Sequence, residues 1–516
     1  MAENRCVVTL HKGVDTARFC EEMTATYGND FIPNRSVELV NEKPDSISNF
    51  DFILTDIEYA TLKNDPRVRD IRWGSKAENG LIPEPFVIEP PRNHNRDNTT
   101  DNTDYPWAFV ECTSPTSRYN GQFNFLDYSH QYCLDGTGVD FVVQDSGIEA
   151  NHPEWLNRDG TASRLKQIDW PSASGLSGLY TQGANHYTDQ YGHGTHCAGT
   201  VAGRLYGWAN NADIYSIKIF DTDAFAPNAS FNMIRGWHNL KGTGRPTVVN
   251  MSWGYLNRYA TSGAQYSTTW RGTEYVVATN QAQYGQIRAS FDGSGYRYPD
   301  RVTSIDSDVE DCIAAGIVLV GAAGNYYHKI DVPGGLDYDN HYQTTNGGTE
   351  LYYHRGSSPC SAANVICVGA IDYDYTGGQE RQTNFTETGP RVDVFAPGYA
   401  VQSAVPKDAT LDIGSTYPLD SNFRIRKLQG TSMASPQVCG IVATLLQARP
   451  YYTQQDCVNW IQEQAAIGRL YDPSTGTPST DYQNYYALQG AGNRYLQTPF
   501  VSGIPQEVTG GLSISK

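Results

Sequence analysis

The chain has 516 residues, with 38 basic and 56 acidic side chains and a formal net charge of −18. At about 150 residues per domain, this length allows roughly three domains and a core that needs no disulfide staples. Charged residues are 18% and aromatics 12%, with 35 Tyr and 49 Gly, which excludes a coiled coil and a chain disordered throughout. The acidic balance excludes a nucleic-acid partner, which would require a basic face.

Met1 to Thr9 has no basic region followed by a long apolar run. No signal peptide is therefore expected, and the expected location is cytoplasmic or virion-associated. The longest apolar stretch, Cys312 to Ala323, is too short to span a bilayer, so no membrane partner is expected. Ten cysteines lie scattered without a CxxC pair, which disfavours a zinc ribbon and suits buried, reduced thiols.

In chain order, residues 1–78 read as a small unit. Cys6 to Leu10 predicts a strand, Asp15 to Tyr27 a helix with Phe19 and Met23 on one face, and Phe50 to Ile53 and Val68 to Trp73 further strands around a helix at Ile57 to Asn64. That β-α-β-β-α-β-like order can make a split βαβ sandwich. Residues 79–120 turn polar and proline-rich, as a linker does. Over 121–465, near-continuous apolar runs at Val139–Val143, Ile214–Phe220, Thr247–Met251, Gly316–Val320 and Val365–Ala370 alternate with helical stretches. This predicts an α/β fold whose parallel sheet is covered by helices on both faces. Polar stretches at 255–300 and 326–358 read as surface insertions, and 466–516 as an irregular tail.

Three segments carry chemistry. Val143 to Gly147 runs a strand into Asp145, Gly192 to Thr200 holds His193 between two glycines, and Gly430 to Pro436 places Ser432 at the start of an apolar helix. A serine hydroxyl needs a neighbouring base to become a nucleophile. A helix's first turn offers free N–H groups to developing negative charge. Glycine before the helix lets substrate approach the backbone. An Asp at a strand end can hold the far ring nitrogen of a histidine and fix its tautomer. Asn325, closing Gly321-Ala322-Ala323-Gly324-Asn325, offers an amide donor for an oxyanion. Each segment has a plainer reading, such as a helix-capping serine or a turn aspartate, but the three in order favour catalysis. His193 and His196 lack a third metal ligand, and the serine is not in the GxSxG of lipases.

These motifs and their order resemble the subtilisin-like serine proteases (subtilases, peptidase S8). The spacings are 193 − 145 = 48 and 432 − 193 = 239 residues, the second lengthened by the insertions. His193 to Phe220 is most similar to the proteinase K branch. The resemblance implies a serine endopeptidase that hydrolyses peptide bonds through an acyl-enzyme, with Ser432 as nucleophile, His193 as general base and acid, and Asp145 as its orienting partner. Asn325 and the Ser432 backbone N–H would form the oxyanion hole. Ser252, Trp253 and Gly254 would form one wall of the pocket for the residue whose carbonyl is attacked (P1), and Ala322, Ala323 and Gly324 the other. These small residues imply a broad preference for large apolar P1 side chains, with Trp253 standing where the family usually has a smaller aliphatic residue. No cofactor is implied for the chemistry. Asp393 matches a carboxylate that binds structural calcium, whereas the calcium-binding loop of the bacterial subtilisins has no counterpart before Tyr206-Gly207. Phe50 to Trp73 is similar to the end of an inhibitor I9-type propeptide, which implies a ferredoxin-like α+β unit that is an intramolecular inhibitor and is removed by autoprocessing. The partner implied is a polypeptide substrate. The polar insertions, the linker and the tail NYYALQGAGNRYLQTPF motivate a second reading, a virion or assembly-associated structural protein that retains a subtilase domain.

Overall fold

A computed structural model describes residues 3–25, 38–39, 46–73, 82–85, 107–113, 131–132, 134–259, 266–276, 290–291, 296–343, 345, 350–376, 379–408, 414–473, 487–499 and 501–502. Most of the expected linker and of the tail lies outside these residues.

The N-terminal segment builds β1 (Glu3–Leu10), α1 (Thr16–Thr24), β2 (Glu38–Leu39), β3 (Asn49–Thr55), α2 (Asp56–Lys63) and β4 (Val68–Trp73). The strands form an antiparallel sheet in the order β2-β3-β1-β4, the arrangement of a split βαβ sandwich. Asp15 caps the start of α1, which ends at Thr24, short of Tyr27, and Thr55 with Glu58 makes a capping box at α2. Phe19 and Met23 bury against Cys6, Val8, Phe50, Phe52 and Leu54. A further strand, β5 (Ile82–Pro85), leaves this unit and pairs elsewhere.

The main body runs β6 (Asp140–Asp145), α3 (His193–Ala202), β7 (Asp213–Lys218), α4 (Pro227–Leu240), β8 (Thr247–Met251), β9 (Trp253–Tyr259), α5 (Thr303–Ala314), β10 (Val318–Ala322), β11 (Ile366–Thr376), β12 (Gln379–Gln382), β13 (Val394–Pro397), α6 (Thr431–Ala448), β14 (Ala466–Ile467) and β15 (Arg494–Tyr495). Its sheet has the order β14-β15-β13-β11-β10-β8-β6-β7, with β12 beside β11. Pairing is parallel from β7 through β15, and antiparallel at β12 and β14. Two separate apolar cores cover the two faces. That is why the strands read as apolar runs rather than alternations. α6 is buried on every side from Thr431 to Leu446, so its sequence is apolar all round.

β6 lies between β7 and β8, so the chain first moves to one side of β6 and then to the other. A crevice opens at such a switch point, beyond the carboxyl ends of the strands. Asp145 ends β6 and Ser252 follows β8 there.

The two polar insertions meet. Strands Ser267–Trp270 and Thr273–Val276 from the first join His341–Gln343 and Glu350–Tyr352 from the second in one antiparallel sheet. Their tyrosines supply the contact, with Tyr342 4.9 Å from Tyr298 and stacked 4.2 Å from Tyr353. α5 carries the N-terminal unit through Lys12–Asp311 (2.7 Å), Arg69–Glu310 (3.1 Å) and the Asn49 amide donating to Asp308 (3.0 Å). No helix among the described residues is long and apolar enough to cross a membrane.

Candidate active site

Three distant segments converge at the carboxyl end of the sheet. His193 opens α3, and its Nδ1 donates to Asp145 Oδ1 at 2.7 Å. Gly194 makes this approach possible, because a Cβ there would lie 2.2 Å from Gly147 O and 3.1 Å from Asp145 Cβ. The close packing leaves His193 fully buried. Its Nε2 has no hydrogen-bond partner. Burial disfavours the imidazolium, but Asp145, with Cys197, outweighs that and holds the His193 pKa well above the ordinary imidazole value.

Ser432 lies in the first turn of α6, and its Oγ donates to Ser252 O at 3.1 Å. Pro436, four residues on, has no N–H to give the Ser432 carbonyl its helical bond. That carbonyl accepts instead from Ser252 Oγ at 2.9 Å and Cys197 Sγ at 3.4 Å. The Cys197 sulfur is also 3.9 Å from His193 Nδ1, so one side chain touches both the serine and histidine segments. Burial raises the Cys197 pKa, which keeps it a thiol. Asn250 accepts from Ser435 Oγ and donates to Ser252 Oγ, both at 2.8 Å, locking β8 to α6.

Asn325 follows β10, and its Oδ1 accepts from Thr431 N at 2.9 Å and Thr431 Oγ1 at 3.0 Å.

Ser252, Trp253 and Gly254 follow β8, and Ala322, Ala323 and Gly324 close β10 on the neighbouring strand. The Trp253 side chain does not rim a pocket. It is fully buried, donates to Gln144 Oε1 at 3.2 Å and packs against Phe231 and Tyr255, because residues alternate sides along a strand and its side faces the core. Asp393 is likewise corrected. Its Oδ2 accepts from Cys367 N and the Arg391 guanidinium, and its Oδ1 from Gln462 Nε2. Arg391 neutralises the carboxylate, and both oxygens are engaged, so Asp393 does not fit a calcium ligand. Asp145, His193 and Cys197 are the one group among the described residues close enough to hold a metal, yet the His193–Asp145 bond and the protonated thiol use up their ligand atoms. His196 donates to Val401 O and Arg426 O, and burial pushes its pKa down to about 3, which fits a structural role.

Two residues escaped the sequence analysis. Asp189 is buried and accepts from Ser146 Oγ (2.9 Å), Gly192 N (2.7 Å), Thr195 N (2.9 Å) and Thr195 Oγ1 (2.6 Å). It ties the Asp145 loop to the start of α3. An aspartate just ahead of a helix start is the signal that could have shown it. Glu387, against Gly324, carried no local signal at all.

Residues 136–493 match the model of the subtilase family, Peptidase_S8. The chain is 28% identical over 352 residues to subtilisin-like proteinase Mp1 of Magnaporthiopsis poae, covering 68% of this chain and 66% of that protein. It is 26% identical over 385 residues to proteinase R of Parengyodontium album, covering 74% and 70% respectively. Several other fungal relatives are matched over only about half of their length, for example 52% of subtilisin-like protease 8 of Arthroderma benhamiae. Among solved structures, fervidolysin from Fervidobacterium pennivorans, a keratinolytic enzyme related to subtilisin, aligns with TM-score 0.50 and 18% identity over 97% of this chain and 61% of its own, a likeness of fold. With the family model spanning most of the chain and the Asp, His and Ser segments meeting at the switch point of its sheet, this protein belongs to the subtilase family.

Proposed function

We propose that the protein is a serine endopeptidase whose first substrate is its own N-terminal segment. The carrying observation is the 2.7 Å bond from His193 Nδ1 to Asp145, which fixes the tautomer that leaves Nε2 as the proton acceptor. Ser432 Oγ would leave the Ser252 carbonyl, give its proton to His193 Nε2 and attack the scissile carbonyl. The Asn325 amide and the Ser432 N–H would hold the oxyanion. His193 would return the proton to the leaving amine, and water activated by the same base would hydrolyse the acyl-enzyme. Asp145 orients the ring and stabilises the imidazolium throughout.

Support for self-processing comes from β5. Ile82–Pro85 pairs antiparallel with Trp253–Leu256, in the register Pro85 with Trp253, Glu84 with Gly254, Pro83 with Tyr255 and Ile82 with Leu256. A stretch joined to the N-terminal unit thus lies along the edge read as substrate-binding, as an extended peptide adds to an open strand. In this reading the unit blocks the site until it is cut away. The small residues Ala322, Ala323 and Gly324 support a roomy pocket with a broad preference for large apolar P1 side chains.

Fluorophosphonate labelling tests this. Wild type should label, Ser432→Ala should not, and mass spectrometry should find the N-terminal unit shed from wild type but retained in Ser432→Ala. Absence of Ser432-dependent labelling in folded, processed protein would remove the protease reading.

A further inference from the structure

A buried acid stands behind the pocket wall. Glu387 is 1% exposed, and its backbone N–H donates to Gly324 O at 2.9 Å. Neither carboxyl oxygen has a hydrogen-bond partner. Gly324 has φ +126°, and a Cβ there would meet the Glu387 Cδ and Oε1 at 2.6 Å and Oε2 at 3.0 Å. Only the missing side chain at Gly324 makes room for the acid. The carboxyl therefore abuts the same three-residue wall that the protease reading assigns to P1.

Neighbouring cations are committed elsewhere. Lys329 bonds Asp331 and Asp337, and Arg391 bonds Asp393 and the carbonyls of Cys360, Ala362 and Val365. An unpartnered carboxyl inside a protein is costly, and native structures seldom keep one without a use. Burial, with a smaller push from Cys367, raises its pKa well above the carboxylate range. Among the described residues no cation is bonded to it, which leaves the carboxyl free to take a partner from outside the chain. Ala322 packs with Leu256 and Tyr326, so the wall beside the acid is apolar. Lysine and arginine combine an aliphatic stem with a terminal cation and suit an apolar passage that ends on an acid.

We propose that Glu387 is the specificity-determining residue of the P1 pocket and selects substrates with lysine or arginine at P1, the cation pairing with its carboxylate. The proposal rests on the protease reading and departs from the expectation of a large apolar P1 residue: the walls accept the stem, and the acid selects the end. A phenylalanine would leave the carboxyl unpaired, and a buried group left without its partner is what gives strong discrimination.

The test uses processed protein, with fluorophosphonate titration to count competent sites. No titratable site would mean that the protease reading has failed, independently of Glu387. On titrated enzyme, peptide amides differing only at P1 (Arg, Lys, Phe, Leu) are compared in wild type, Glu387→Gln and Glu387→Asp. Expected is a kcat/KM for Arg and Lys at least about tenfold above Phe in wild type, lost in Glu387→Gln and partly kept in Glu387→Asp. A titrated wild type that prefers Phe or Leu overturns the proposal, even if a variant fails to fold. So does an unchanged Arg-to-Phe ratio in Glu387→Gln. Calcium-dependent thermal stabilisation lost in Glu387→Gln, with the P1 ratio unchanged, would assign the carboxyl to a metal ion and overturn it too.

Discussion

Ser432 Oγ donates to the carbonyl oxygen of Ser252 at 3.1 Å, while His193 Nε2 has no hydrogen-bond partner. In the proposed reading, nucleophile and base are not yet engaged with each other. Catalytic hydrogen bonds of this kind commonly tighten only when substrate is bound. Ser432→Ala deletes the neutral hydrogen bond to the Ser252 carbonyl, so its stability in urea should stay within about 1 kcal/mol of wild type. Its kcat should fall on the order of 10⁶-fold. A large stability loss would show that the Ser252 contact holds the fold rather than parking the hydroxyl.

The acid limb of kcat/KM should follow His193. The base works only when neutral, so activity is lost as pH falls through its pKa. Because Asp145 holds that pKa up against burial, the limb should lie above the usual imidazole value of about 6.5. Asp145→Asn should move the limb to lower pH and cut kcat on the order of 10⁴-fold. A pH-rate profile of both forms checks the direction, and a limb that stays in place would exclude Asp145 as the cause.

Asn325→Ala should lower kcat by about 10²–10³ and change KM little, since the amide donates chiefly to charge that develops in the transition state. Thr431 loses the acceptor of two hydrogen bonds in this variant, so thermal unfolding should be measured beside the kinetics. An equal loss in kcat and gain in KM would mark general damage to the site.

Asp189→Asn tests positioning. Both carboxylate oxygens only accept, from Ser146, Gly192 and Thr195, and an amide nitrogen in place of either would face a donor. We expect kcat to fall with KM nearly constant, because the Asp145 loop and the His193 turn lose their common tie. Unchanged kcat in a folded variant would restrict Asp189 to capping α3.

Glu154 predicts a pH dependence of stability. Burial raises its pKa to about 7, although Tyr417 Oη, Leu205 N and Tyr206 N donate to it. The folded state thus holds a proton that the unfolded chain, near the ordinary value of about 4.3, releases earlier. The resulting stability is fully present below that ordinary value and is lost as pH rises through about 7. Urea unfolding at acid and alkaline pH should show a smaller loss for Glu154→Gln than for wild type. The difference should be a few kcal/mol, since each tenfold change in proton affinity corresponds to about 1.4 kcal/mol. Equal slopes would refute the assignment.

Much of the site was legible because its signals are local. A strand ending in Asp145, glycines around His193 and an apolar helix opened by Gly430 and Ser432 each lie within a few residues, and α6 and β6 form there. The parallel sheet was legible for the same reason, since strands buried on both faces are apolar without alternation. Periodicity says whether a residue faces a core, but not which residue meets it. Trp253 read as part of a pocket wall because its neighbours carry the motif, whereas its side of the strand faces Phe231 and Gln144. Asp393 read as a calcium ligand because the cation that neutralises it, Arg391, is identified only by geometry.

Alternation, helix starts and the order of Asp145, His193 and Ser432 were determined by the sequence alone, because backbone propensity and one-sided burial act over a few bonds. Only the tertiary structure decided that two insertions share one sheet, that Asp189 ties Ser146 to Gly192, and that Glu387 stands unpaired behind Gly324. Whether a buried charge has a partner depends on ångström distances between segments dozens of residues apart. The length and the net charge of −18 bounded the number of domains and the class of partner, but the acids that matter to this site are single carboxyls, distinguished by what stands within 3 Å of them.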